Sequence, residues 1–219
     1  MAAEHARRIL PRSIAAPSGG DGPPRRVTYS DSSGGQPNRE PLRSVIDARI
    51  DIRIATPDDA GLLADLGSRT FGDAFGQQNA ESDMKAYLAS AFGERIQAEE
   101  IADERSVFLV AEVAGETTGY ARLRRSDAPP AIPGQRPIEI VRFYSEQAWI
   151  GRGVGPALMA KCLELAASMG GDVVWLSTWD RNARALAFYE KWGFMRVGGQ
   201  QFHVGDDVQS DHLLARAVD

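Results

Sequence analysis

Three glycines at alternate positions, Gly151, Gly153 and Gly155, stand between an alternating apolar segment ending near Ser145 and a helical pattern beginning near Gly153. Glycines at that point let the chain turn tightly and aim several N–H groups outward from the start of a helix. Unpaired donors and the helix dipole there favour a phosphate or pyrophosphate. The same residues also suit a tight strand-to-helix turn that binds nothing. Spacing tests two specific phosphate motifs. A dinucleotide fingerprint would place its third glycine or alanine on Pro156, and no Gly-Lys-Ser/Thr follows for a Walker loop, so neither NAD nor ATP is supported. The single thiol, Cys162, is a formal candidate for an acyl-enzyme nucleophile. It lies on an apolar helix stripe with Leu158, Leu165 and Met169, which points to packing instead. His203 and His212 are too far apart for a helical metal pair and have no third ligand in the pattern, so no metal is expected.

The elements that must position this turn can be read from periodicity. Ile50, Ile52 and Ile54 alternate as a strand over 50–55, and Thr56-Pro57-Asp58-Asp59 then reads as a helix start, predicting a helix from 57 to about 74. Met84, Tyr87, Leu88 and Ala91 share one face of a second helix over 81–92, and Ile96 and Ile101 continue the pattern over 94–102. Segments 106–113 and 117–124 are rich in β-formers and flank Ala114-Gly115-Glu116, a hairpin signal. A polar, proline-rich loop over 125–137 leads to a strand over 138–145. There follow a helix over 153–169, a short apolar strand over 172–178, a helix over 181–192 stopped by Gly193, and two final strands over 194–204 and 211–217. The predicted fold class is α/β in the broad sense: a twisted mixed sheet of about six or seven strands flanked by helices.

Composition bounds the function. The 219 residues are 43% apolar and 25% charged, ordinary for a globular chain, and no apolar run approaches the roughly 20 residues of a membrane helix. A soluble, cytoplasmic protein with no membrane partner is expected, and one cysteine fits a reducing compartment. The formal charge of −5 lacks the basic excess of a nucleic-acid binder. Residues 1–48 hold six of the twelve prolines and seven arginines against five acidic residues, giving +2 there and −7 for the rest. This segment reads as a disordered Arg/Pro/Gly-rich extension. A transit peptide is less well matched, because Glu4 and Asp21 interrupt the arginines. Residues 49–219 form the single predicted domain.

The glycine turn, taken with its surroundings, resembles the Q/R-x-x-G-x-G/A loop of the GCN5-related N-acetyltransferase (GNAT) family. Phe143-Tyr144-Ser145 is similar to the strand segment preceding that loop, and Trp179-Asp180-Arg181-Asn182-Ala183 to the turn after the next strand. Residues 185–194 (ALAFYEKWGF) resemble the A-x-x-F-Y-x-x-x-G-F helix. The resemblance spans most of 50–217, and the segments 138–155 and 201–211 resemble the PaiA-type polyamine acetyltransferases within the family. One position departs: Ile150 stands where the loop begins with glutamine or arginine.

The resemblance implies an acetyl-CoA cosubstrate without metal, held by main chain at Phe143 and Ser145 and by Gly151, Arg152, Gly153, Val154 and Gly155, with Asn182 on the coenzyme arm or capping its helix. Acetyl transfer to an amine needs an uncharged nucleophile, oxyanion stabilisation and a proton for the leaving thiolate. Tyr189 matches the family tyrosine that donates this proton, and Glu139, on its strand, is the candidate general base or ammonium anchor, with water as the alternative base. The implied acceptor is a primary amine of a small molecule, polyamine favoured. An amino acid, an aminoglycoside or a protein N-terminus, and a non-catalytic acyl-CoA sensor, are the alternatives. A homodimer is compatible with edge pairing at a terminal strand such as 211–217.

Overall fold

The computed structural model describes residues 49–76, 79–204 and 207–218. The reading of residues 1–48 and the side chain of His203 lie outside the described residues. Strand β1 (Ile50–Ile54) leads through a single 3-10 turn (Pro57–Asp59) into helix α1 (Ala60–Phe75), followed by α2 (Glu81–Ala91) and α3 (Glu94–Ala102). The helix predicted from 57 therefore begins its α-helical part at Ala60. Asp59 organises this entry: its carboxylate accepts the Thr56 N–H at 2.7 Å and both Arg53 Nη groups at 2.8 Å.

The β2 (Ser106–Val113) and β3 (Glu116–Arg125) hairpin turns at Ala114 and Gly115, both with positive φ. Strand β4 (Pro137–Ser145), helix α4 (Val154–Ser168), strand β5 (Val173–Trp179), helix α5 (Ala183–Lys191) and strands β6 (Met195–Val204) and β7 (Asp207–Ala217) complete the chain. The seven strands form one mixed sheet in the order β1-β2-β3-β4-β5-β7-β6, antiparallel except where β4 runs parallel to β5. The last strand thus inserts between β5 and β6 instead of lying outside them. Edge pairing through 211–217 is ruled out by this order: β7 is hydrogen-bonded on both sides, and the edges are β1 and β6.

Helices cover both faces. On one, α4 and α5 pack Val154, Leu158, Cys162 and Tyr189 against Ile138, Ile140 and Phe143 of β4 and Val174 and Leu176 of β5. On the other, α1 and α2 set Leu63, Phe71, Phe75 and Tyr87 against Phe108, Tyr120 and Tyr144. Helix α3 is clamped to the sheet by Glu100, whose carboxylate bridges the buried guanidiniums of Arg122 and Arg142. The 125–137 loop folds back so that Ile132 covers Trp175 and Leu213.

Candidate active site

The site begins with an interruption in β4. Its register with β3 shifts between Arg122 and Leu123, which face Arg142 and Ile140, leaving Val141 as the extra residue of a bulge. A bulge bends its strand and re-aims the residues beyond it. Pairing of β4 with β5 covers only Pro137–Glu139, opposite Val173–Trp175, after which the two parallel strands separate while each continues. The sheet is therefore split between β4 and β5 beyond Glu139.

On the α4/α5 side of this split lies a cavity of about 280 Å³. Phe143 and Ser145 contribute the end of β4, Ile150, Gly151 and Gly155 the turn, and Arg184 the first turn of α5. The glycines have structural reasons to be glycine. Gly151 and Gly153 have φ of 77° and 92°, where other residues are strained, and no atom lies within 4 Å of where a Gly151 Cβ would point. Helix α4 begins at Val154, so its first N–H groups lack partners within the helix. Ala157 is already bonded back to the Gly153 carbonyl at 3.0 Å, and Pro156 has no N–H to satisfy.

The predicted residues divide among distinct places. Phe143, Ser145, Gly151 and Gly155 line the cavity. Gly153 is the left-handed N-cap of α4, and Val154 is fully buried in the core beneath it. The Arg152 guanidinium stacks over Trp149, 5.5 Å from the ring centroid. Asn182 is the N-cap of α5, its Oδ1 accepting the Ala185 N–H at 3.0 Å. Tyr189 sits one layer behind the cavity wall, 1% exposed, its ring edge-on to Phe143 at 6.3 Å and to Phe188 at 5.5 Å. Cys162 is completely buried, which pushes its thiol pKa up and removes it from nucleophilic chemistry.

Glu139 lies elsewhere. It occupies the last β4–β5 rung, beside Trp175, and its Oε2 accepts from Arg124 Nη2 at 2.8 Å. Ile138 and Ile140 belong to the α4/α5 face, so strand alternation puts Glu139 on the opposite one. There it shares a face with Trp175, Ser177 and Trp179 of β5 and with Asp211, which stands across from Trp179. Asp211 is buried, and Ser177 Oγ donates to it at 2.6 Å. The split sheet thus has a glycine-lined cavity on one face and two buried carboxylates on the other.

Two residues of this arrangement escaped the reading of the sequence. Asp211 was legible only as one step in the alternation Asp211, Leu213, Ala215. Arg184 lies within the predicted 181–192 helix but was not singled out there; its guanidinium is partly buried in the cavity wall, and its Nη2 has no hydrogen-bond partner. Burial lowers its pKa. This orphaned cation and the open glycine backbone fit the anionic tail of coenzyme A. Among the described residues, no cluster of three or more His, Cys, Asp or Glu could hold a metal, and no helix is long and apolar enough to cross a membrane.

A seven-stranded mixed sheet that opens between two parallel strands beside a glycine turn defines an α/β architecture with a cleft at the middle of its sheet. Residues 73–194 match the family model described as the acetyltransferase (GNAT) family. An uncharacterized N-acetyltransferase from Lactobacillus delbrueckii subsp. lactis is 33% identical over 153 residues, covering 70% of this chain and 88% of that one. The N-alpha-acetyltransferase RimI of Mycobacterium tuberculosis is 32% identical over 139 residues, covering 61% and 79%. Among solved structures, the PaiA N-acetyltransferase from Thermoplasma acidophilum in complex with coenzyme A superposes with a TM-score of 0.62 at 17% identity, over 77% of this chain and 99% of that one. This chain belongs to the acetyltransferase (GNAT) family, and its activity is that of an acetyl-CoA-dependent N-acetyltransferase.

Proposed function

We propose that the chain transfers the acetyl group of acetyl-CoA to a primary amine of a small molecule, with a polyamine as the favoured acceptor, by direct attack in a ternary complex. The observation that carries this reading is the two-faced split. The cavity of Phe143, Ser145 and the glycine turn opens on one side, and the carboxylates of Glu139 and Asp211 stand on the other. Carboxylates on the second face suit a cationic amine that enters the split from that side. Bound acetyl-CoA supplies a thioester, an acetyl group already activated for attack by nitrogen.

The chain's own residues do the rest. First-turn N–H groups of α4 hold the coenzyme's phosphates, and main chain at Phe143 and Ser145 orients the pantetheine arm. The backbone N–H near Phe143 faces the developing oxyanion. Tyr189, a phenol protonated at neutral pH, gives its proton to the departing thiolate. Asn182 holds the start of α5, and so the helix that carries Tyr189. Glu139, engaged by Arg124, anchors the ammonium of the acceptor, and the proton that the amine sheds passes to water. Arg152 and Gly153 shape the turn from outside the cavity. The PaiA resemblance and the acidic balance of residues 49–219 favour a polyamine.

A second reading has one specific support, the sequence likeness to an N-alpha-acetyltransferase. It makes the acceptor the α-amino group of a polypeptide. Thiol release from acetyl-CoA, measured with spermidine, spermine, amino acids, aminoglycosides and peptides, decides between them. Turnover is expected with the polyamines. Turnover confined to peptides would replace the first reading with the second, and coenzyme binding without turnover on any amine would point to a sensor.

A further inference from the structure

We propose that Arg184 is the cation that holds the coenzyme's pyrophosphate, an inference that rests on the reading of the 280 Å³ cavity as the acetyl-CoA site. Arg184 is the only charged residue among the described residues that line this cavity, whose other walls include Phe143, Ile150, Pro156 and Phe188. Backbone N–H groups and a helix dipole supply only partial charges, so a pyrophosphate seated among these apolar groups would lack a full counter-charge. The arginine on the turn itself does not fill that need, because Arg152 is stacked on Trp149 and does not line the cavity.

The placement of Arg184 fits the role. It is the second residue of α5, and helical side chains lean toward their helix N-terminus, here toward the cavity. Its Nη2 is buried without a hydrogen-bond partner, and no carboxylate forms an ion pair with it among the described residues. A buried donor without a partner is unfavourable in the free protein, and an oxyanion in the cavity would satisfy it. Burial lowers the pKa of this group, yet a guanidinium stays protonated at neutral pH, so the charge is present whenever the ligand arrives. Its planar fork suits paired phosphate oxygens better than a lysine ammonium would.

Isothermal titration with coenzyme A, 3′-dephospho-coenzyme A and pantetheine tests the assignment. For Arg184→Ala the Kd is expected to rise about 10- to 100-fold for both nucleotides, with pantetheine unaffected and the melting profile of the free protein retained. Arg184→Lys should fall between the two. Adding Ile150→Arg to Arg184→Ala puts a cation back into the same cavity and should recover part of the affinity. Affinity that stays at the Arg184→Ala level would show that a missing cation was not the cause. Unchanged Kd values in Arg184→Ala would overturn the proposal while leaving the cavity as the coenzyme site. A penalty seen with coenzyme A and absent with the dephospho form would move the contact to the 3′-phosphate and overturn the pyrophosphate assignment. No binding of any of the three by the wild-type chain would overturn the reading of the cavity itself.

Discussion

Tyr189 carries two burdens that substitution can separate. Its ring packs edge-on against Phe143, Phe188 and Phe194, and Tyr189→Phe keeps every one of those contacts while deleting the hydroxyl. If the phenol protonates the leaving thiolate, turnover should fall about 100-fold or more. Coenzyme affinity should stay near wild type, and the variant should remain folded. Steady-state kinetics beside titration and thermal melting make the comparison, and an unchanged kcat would remove Tyr189 from the chemistry. At this scale the sequence was partly legible, for reasons that differ by residue. Gly151 and Gly153 could be recognised because positive φ leaves few alternatives to glycine. Asn182 was singled out through the family resemblance, for the coenzyme arm or for a cap, and its side chain caps α5. Glu139 was read on the correct strand, but whether a strand carboxylate is solvated or ion-paired depends on its cross-strand neighbour. Here that neighbour, Arg124, lies fifteen residues away in sequence.

Elements hold the site through a few close approaches. Gly119 of β3 is one: a Cβ there would meet the Tyr144 carbonyl oxygen at 2.6 Å, the Ser145 Cα at 3.2 Å and Val154 Cγ1 at 3.2 Å. The first of these is backbone and cannot yield cheaply. Gly119→Ala should therefore cost about 1–3 kcal/mol and, by displacing Ser145 at the cavity wall, weaken coenzyme binding as well. Denaturant unfolding and titration read the two effects, and a neutral outcome in both would mean that β3 and β4 shift freely. A second element-scale joint ties β1 to α1, where paired bonds from Arg53 hold the Asp59 carboxyl at about 2, below its ordinary value. By linkage, a folded-state pKa below the unfolded one gives stability that is complete above about pH 4 and lost as pH falls toward 2. The stability gap between wild type and Asp59→Asn should thus be wide at pH 6 and narrow by pH 2.5, and a pH-independent gap would exclude this ion pair as its source. Element types could be read from hydrophobic period, because burial on one face imposes that period directly. Strand order could not, since nothing in the local pattern of 207–217 says that β7 enters between β5 and β6.

For the molecule as a whole, the proposed function uses the split between β4 and β5 to give the two substrates separate approaches, the cavity on the α4/α5 face for the coenzyme and the face of the carboxylates for the amine. With both able to bind at once, transfer needs no covalent carrier. The lone thiol supports the same conclusion: Cys162 is 0% exposed in the core under α4, and burial pushes its pKa up. Initial rates at varied acetyl-CoA and fixed amine should give intersecting double-reciprocal lines, the pattern of a ternary complex. Parallel lines would demand an acetylated enzyme and sink the direct-transfer mechanism. Cys162→Ala should keep kcat within about twofold while losing about 1 kcal/mol of stability, because it deletes packing atoms and no reacting group. If that variant folded and yet lost turnover, the buried thiol would have to be reached through a motion of α4. The partition between faces would then no longer explain how the acetyl group reaches the amine.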